Sequence, residues 1–568
     1  MSSVSWLYQP EQKLQSRLAK FQLASRSMII TRARDVAFLR TRVCTILQNG
    51  DHYILVVDGG YGLFRTQLNG QTVQVTDLNP YTIGFALSEN FTTTNVEPLW
   101  QYKKPYNGSS IPPVTNNGAL WASMDQNSVY IQGGHFYHGN LWSSSAYFVS
   151  KSNIPEWTMW KMDVRNHHAG WSDVTAQVVG HEVANRTFAG IAASITNDTR
   201  HFWIGGLIDS TTSATTPNNT MQSTNQMLEY DESSKKITRS EYYSSSSTDG
   251  YWQGDLVHLP VGPGKGYLIS LMSLTHTTTT SWVDQDGESG NFEIGKAVTL
   301  ETIPLYDLDT NTWFQQTADF FNNELPEPRT RFCLALFHDA VDNTWHLWMY
   351  GGQKLSDQNE GVSDVYVLNM PSFIWTKVET TLPSTNLIRS HTCHAVGGQL
   401  LIVGGHPPAV NISINTACDS EYIKILRIGE ESVDWTGTFS TNTTYRTPLS
   451  VQNVENGRRV PFNGFANDKL ARDFNHTISE PKSINHKAPL GAIVGGTVGG
   501  VFLVVLIIVI FCWYKWPQTR PRPVRQLIQW MNRPPPVIHN NNTAHDMPIL
   551  EHAAGVPTRP SHEARLGL

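Results

Sequence analysis

The sequence predicts an all-β chain of radially repeated four-stranded units, a six-bladed β-propeller with seven blades as the alternative count, followed by one transmembrane α-helix. Three observations predict it. A run of β-forming residues ending in Gly-Gly returns at a spacing near 73 residues. Aromatic residues reach 11%, with 18 Trp, against 16% charged, which suits large cores between stacked sheets and excludes a disordered chain. Ala488 to Tyr514 forms a 27-residue stretch without a charged side chain. A hydrocarbon layer of about 30 Å needs roughly 20 apolar residues at helical rise, and a helix satisfies its own backbone there.

The elements follow in order. Residues 1–34 form a basic N-terminal segment, with Leu14, Leu18 and Phe21 at helical spacing. Its longest apolar run, Met28 to Ile30, falls short of the core of a secretory signal; the first expectation is a wrongly assigned first exon, the alternatives being residues 488–514 as their own targeting signal or the basic start as a mitochondrial presequence. From residue 35 to 440 the repeats take over. Their diglycines are Gly59-Gly60, Gly133-Gly134, Gly205-Gly206, Gly351-Gly352 and Gly404-Gly405. The gap of 146 residues between the third and fourth is twice the period, so a unit without its diglycine belongs there, at GDLVHLP and KGYLISLM. Each unit adds an aromatic-bearing strand, as in SDVYVLNM and TIPLYDLDT. It then ends on a Trp-containing strand, at Trp100, Trp157 or Trp160, Trp313, Trp375 and Trp435. Four strands repeated six times predict a propeller, because a blade buries its faces only by stacking on its neighbours. The diglycine lets the chain turn where a Cβ would strike a neighbouring backbone.

These motifs resemble the kelch-repeat family, whose blades carry a diglycine followed by spaced Tyr and Trp. RTRFCLALF, MYGG, SDVYVLNM and FIWTKV occur in the family's order, and RSHTCHAVGGQLLIVGGH is similar to a second such unit. YTIGFALSENF and NNGALW also resemble fungal membrane-anchored kelch proteins. The resemblance implies a kelch-type propeller that binds partners through its loops. It also raises galactose oxidase, a kelch-repeat copper enzyme, as an alternative.

Residues 441–487 are polar and read as a stalk or linker, with a closing strand near Tyr445 to Val451. In the membrane segment 488–514, Gly491, Gly495 and Gly499 make two small-xxx-small steps on one helix face, an arrangement that pairs helices into a homodimer. Residues 515–568 form a disordered basic, Pro-rich tail, suited to anionic lipid and to an adaptor with an aromatic groove. Lys515, Arg520, Arg522, Arg525 and Arg533 place the tail in the cytoplasm and the propeller outside or in a lumen, as a single-pass type I protein. The sequons at Asn90, Asn107, Asn185, Asn197, Asn218, Asn411, Asn442 and Asn475 precede the membrane segment; only that at Asn541 follows it.

Function is less legible. Residues 1–514 carry 35 basic against 45 acidic side chains, which argues against nucleic acid as a partner. Of five cysteines, Cys393 and Cys418 bracket a strand and a loop and form the candidate disulfide. His135/His138 and His391/His394 have i, i+3 spacing, but on strands such pairs point to opposite faces, so no metal site, cofactor or catalytic residue is assigned. His167 and His168 read as loop residues, and the pairs Glu229/Asp231 and Asp284/Asp286 as surface charge. The expectation is recognition of a protein or glycan without turnover, with a copper oxidase and a membrane-tethered intracellular scaffold as alternatives.

Overall fold

The computed structural model describes residues 36–479, apart from 41–43, 50–51, 69–70, 107–110, 137–146, 219, 244–249, 284–288, 356–359, 381–386 and 407–421. Six antiparallel sheets follow one another along the chain, each with its first strand at one edge. Blade 1 is built from Cys44–Asn49, His52–Asp58, Tyr81–Ala86 and Trp100–Lys103. Blade 2 uses Asn116–Ala122, Ser128–His135, Met159–Asp163 and Trp171–Asp173; blade 3 uses Ile191–Ser194, Arg200–Ile204, Gln226–Asp231 and Lys236–Glu241. Blade 4 comprises Tyr251–Leu259, Tyr267–Val283, Thr302–Asp307 and Thr312–Thr317. Blade 5 comprises Cys333–Asp339, Thr344–Tyr350, Val365–Met370 and Ile374–Val378, with Asp319–Phe320 added parallel to its last strand. Blade 6 comprises Arg389–Val396, Gln399–His406, Ile423–Ile428 and Val433–Thr436. Each first strand packs beside that of the next blade, and the sixth returns to the first. The first strands therefore surround the axis, and the fold is a mainly-β six-bladed propeller.

The core lies between blades. Alternation along each strand sends successive side chains to opposite joints. On the second strand of blade 3, Phe202 and Ile204 pack toward blade 4 while Trp203, between them, packs toward blade 2. Each of the six joints has its own apolar cluster. Large indoles fill them, and several of their N–H groups find acceptors: Trp121 donates to Phe202 O at 3.1 Å, and Trp375 to Leu300 O at 2.9 Å. Burying an aromatic body while pairing its one donor avoids the cost of an orphaned polar group.

The ring closes at Thr438–Phe439, which pairs antiparallel with Phe91–Thr92 of the first repeat, and the Phe91 and Phe439 rings stack at 4.8 Å. The closing strand is thus earlier than Tyr445 to Val451. Tyr445 instead stacks on Phe337 at 4.7 Å and accepts the Trp348 indole N–H at 3.1 Å. Residues 441–479 differ from the expected polar stalk. They carry α1 (Leu449–Glu455) and α2 (Asp468–Ser479), and Val451, Leu470 and Phe474 are almost wholly buried against blades 4 to 6. Leu470 and Phe474 stand at i and i+4, on one helix face, but two apolar residues among Lys469, Arg472 and Asp473 are too short a run to stand out in a polar stretch.

Two further assignments change. Trp157 and Trp160 belong to the third strand of blade 2 and its approach, and the fourth strand begins at Trp171. Cys393 forms a disulfide with Cys333, not with Cys418, which lies outside the described residues. The innermost strands of blades 5 and 6 run side by side and bring the two Cα atoms to 5.4 Å, inside the range a disulfide requires. The membrane segment 488–514, its glycines and the tail also lie outside the described residues. Among the described residues no helix is long and apolar enough to cross a membrane.

Candidate functional site: the diglycine face

All five diglycines sit at the end of a second strand, and every one of the ten glycines has positive φ, from +64° to +102°. That backbone swings the chain out of the blade. The close approach is also real. A Cβ on Gly59 would lie 2.5 Å from Thr115 O, and one on Gly133 would lie 3.0 Å from Thr187 O. Thr115 immediately precedes the first strand of blade 2, and Thr187 lies four residues before that of blade 3. The second glycine donates its N–H there: Gly60 to Thr115 O (3.2 Å), Gly134 to Thr187 O (2.8 Å), Gly206 to Tyr251 O (2.7 Å) and Gly352 to Ile388 O (3.0 Å). By strand register, Met272 and Ser273 occupy the missing diglycine of blade 4. Residues with side chains resist the left-handed turn. The strand therefore runs straight on to Val283 and returns as Ser289–Ala297.

A second ring lies at the start of the first strands. Asn117, Ala189, Gln253, Arg331 and Ser390 each have φ between +55° and +59° without being glycine. They are linked blade to blade: Ala189 N–H to Asn117 O (3.0 Å), Gln253 N–H to Ala189 O (2.6 Å) and Ser390 N–H to Arg331 O (3.1 Å). Strained left-handed residues persist where surrounding bonds over-determine them, and such positions gather at functional sites. Here they form the axial rim on the diglycine face.

Cationic side chains, buried at Lys104, Arg186 and Arg329 and half-buried at Arg389, tie the long connections to this rim. Lys104, 1% exposed, donates to Asp58 Oδ2 and Pro113 O, each at 2.7 Å. Arg329 pairs with both carboxylate oxygens of Asp364, and Arg389 donates to Gln353 Oε1. Arg186 is held by neutral acceptors, the carbonyls of Gly133, Pro155 and Glu156 and the Thr158 hydroxyl, and burial pushes its pKa down to about 9.

The two faces differ. On the diglycine face the second-to-third connections carry extra structure: Tyr61–Leu68 with Gln71–Leu78 in blade 1, Leu207–Asp209 with Met221–Ser223 in blade 3, and the long hairpin of blade 4. The opposite face has short first-to-second turns and receives the C-terminal helices. Thr447 donates its N–H and hydroxyl to Asp339 Oδ2, both at 2.8 Å, and Phe474 meets Phe373 at 5.8 Å.

The residues singled out in the sequence scatter. His391 and His394 point to opposite faces of their strand: His391 is 1% exposed beside Tyr350, whereas His394 Nε2 meets Thr392 Oγ1 at 3.1 Å. His135 packs on Phe188, and His138 lies outside the described residues. His167 stacks on Trp100 at 4.8 Å. Burial raises the Glu229 carboxyl, whereas donors from Ser233 and Ser234 outweigh desolvation and lower that of Asp231; Asp284 and Asp286 lie outside the described residues. The sequon residues Asn90, Asn185, Asn197, Asn218, Asn442 and Asn475 are exposed, while Asn107 and Asn411 lie outside the described residues.

One constellation escaped sequence reading. Ser194 Oγ lies 3.1 Å from His201 Nδ1, and His201 Nε2 lies 3.5 Å from Glu232 Oε2, the order of a nucleophile, a base and an orienting carboxylate. The surroundings give it a structural task. Ser194 Oγ already accepts the Ala122 N–H at 3.0 Å, and His201 is fully buried against the Trp121 ring. Ala122 and Ser194 are 72 residues apart, one repeat period, so the group fastens neighbouring blades. No family model matches the chain, and no curated protein matches it. The geometry thus concentrates rigid backbone, paired Lys and Arg side chains and elaborated loops on one face of a six-bladed propeller.

Proposed function

We propose that this is a membrane-anchored kelch-type propeller that recognises a protein or glycan through the connections of its diglycine face, without turning the ligand over. The observation that carries the reading is the asymmetry of the two faces. A rim fixed by interblade hydrogen bonds supports long connections on one side, while the other side is occupied by short turns and α1 and α2. Loops on a rigid scaffold are the usual place for binding residues, because their ordering cost has already been met. The apolar segment 488–514 supplies the anchor, and the basic residues after it keep the tail in the cytoplasm.

The test is binding by the full chain in detergent to arrayed glycans and to candidate surface proteins, repeated with bulky substitutions on each face. Ser213→Trp, in the blade 3 connection, is expected to weaken binding at least tenfold, and Val341→Trp, in a turn of the opposite face, to leave it unchanged. Equal effects from both would remove the diglycine face from the account. The copper-oxidase alternative requires peroxide formation from a primary alcohol, which the same preparation reads directly.

A further inference from the structure

We propose that Cys333, Cys393 and His391 form a reduction-dependent site for a thiophilic cation, Zn2+ or Cu+, in the joint between blades 5 and 6. Under oxidising conditions the two sulfurs are closed as the disulfide; when reduced they present a two-sulfur, one-nitrogen donor set.

The geometry brings together what the sequence holds 60 residues apart. One ligand atom from each of the three side chains lies within 4.8 Å of the others. A tetrahedral zinc holds sulfur at about 2.3 Å and imidazole nitrogen at about 2.0–2.1 Å, which puts ligand atoms within about 4 Å of one another. Side-chain rotation closes that difference without moving the strands. His391 and Cys393 are two apart on one strand and so share a face, and Cys333 arrives from the adjoining innermost strand.

His391 is also oriented. Its Nε2 lies 3.3 Å from Tyr350 O, and its ring meets the Tyr350 ring edge-on at 5.4 Å. An imidazole that donates from Nε2 carries its lone pair on Nδ1, the tautomer a metal needs. A carbonyl holding the other ring nitrogen is the common second-layer arrangement at metal sites. The surroundings are dry: Cys333 is 0%, His391 1% and Cys393 9% exposed, among Trp348, Tyr350 and Leu426. Two thiolates and Zn2+ sum to zero charge, so a buried complex avoids an uncompensated ion. Soft sulfur donors select Zn2+ and Cu+ over harder cations, and Cu+ accepts the three-ligand set as it stands.

The chemistry balances. A dithiol reductant transfers two electrons and two protons to the Cys333–Cys393 bond and leaves as its own cyclic disulfide. The cation then displaces the two thiol protons.

The experiment uses the full chain in detergent, oxidised or reduced with a dithiol under argon, freed of reductant, and titrated separately with Zn2+ and with Cu+. Bound metal is measured by mass spectrometry, and Co2+ serves as an optical probe of sulfur ligation. The reduced chain is expected to hold one cation with a sulfur-to-cobalt charge-transfer band, and the oxidised chain none. The oxidised chain is the same folded polypeptide, so the comparison needs no substitution. Cys333→Ser should abolish binding, His391→Ala should weaken it about tenfold or more, and Cys44→Ser should leave it intact. Equal metal in the oxidised and reduced chains, no metal in the reduced chain, or binding that survives Cys333→Ser would each overturn the proposal.

Discussion

The diglycine turns make a prediction in which conformation and crowding separate. Gly59 and Gly457 have nearly the same backbone, φ +64° and +69°, but a Cβ at Gly59 would lie 2.5 Å from Thr115 O, whereas at Gly457 it would meet nothing within 4 Å. Forcing alanine into the left-handed region costs about 1–2 kcal/mol at either site. At Gly59 the carbonyl of the next blade must also retreat. That weakens the 3.2 Å bond from Gly60 N–H, worth about 1 kcal/mol, and loosens the packing of blade 1 on blade 2. Gly59→Ala should therefore destabilise the propeller by about 3 kcal/mol and Gly457→Ala by about 1 kcal/mol. Urea unfolding of the full chain in detergent, followed by Trp fluorescence, reads the difference as a shift in midpoint at constant slope. Equal midpoints for the two variants would refute the argument that the diglycine exists for the blade-to-blade approach.

Other outcomes follow from single contacts. Phe439, 0% exposed and stacked on Phe91, closes the ring, so Phe439→Ala should cost about 3–5 kcal/mol and lower the melting temperature more than any substitution in the exposed turns. Asp339 accepts from Thr447 and pairs with Arg446 at 2.9 Å; Asp339→Asn should cost about 2 kcal/mol and release residues 446–479 to protease before the blades unfold. Desolvation raises the Asp339 carboxyl, but donors from Thr447, Val341 and Asp342 outweigh it, and its pKa ends below the usual carboxylate value. Its contribution is therefore present above the unfolded pKa and lost as pH falls through the lower folded one. Desolvation pushes the His394 imidazole down to about 4, from 6.5. Protonation of the unfolded chain then removes stability as pH falls from about 6.5 to about 4, by at most about 3 kcal/mol. His394→Gln should flatten melting temperature against pH across that window.

What the sequence made legible was what recurs. The diglycines, their period and the strand-ending Trp residues are local and repeated, and blade 4 was placed by arithmetic although its turn residues are Met272 and Ser273. Contacts between repeats were not legible. Cys393 has Cys418 as its nearer partner in sequence, yet the joint gives it Cys333, because adjacency of innermost strands is a property of the closed ring. The same holds for Ser194, His201 and Glu232, and for the rim of left-handed residues, whose identities Asn, Ala, Gln, Arg and Ser share no chemical signal. The stretch 441–487 reads as a linker because Leu470 and Phe474 sit among charges, and only packing against blades 4 and 5 gives those two residues a use.

Display of the diglycine face to an outside partner depends on which compartment holds the propeller. Protease treatment of sealed vesicles containing the full chain, followed by glycosidase, tests this directly. The proposal predicts a protected propeller that loses mass on deglycosylation at sequons such as Asn185 and Asn218, with the tail after residue 514 digested. A propeller digested in sealed vesicles, unchanged in mass by glycosidase, would contradict it and favour a scaffold facing the cytosol.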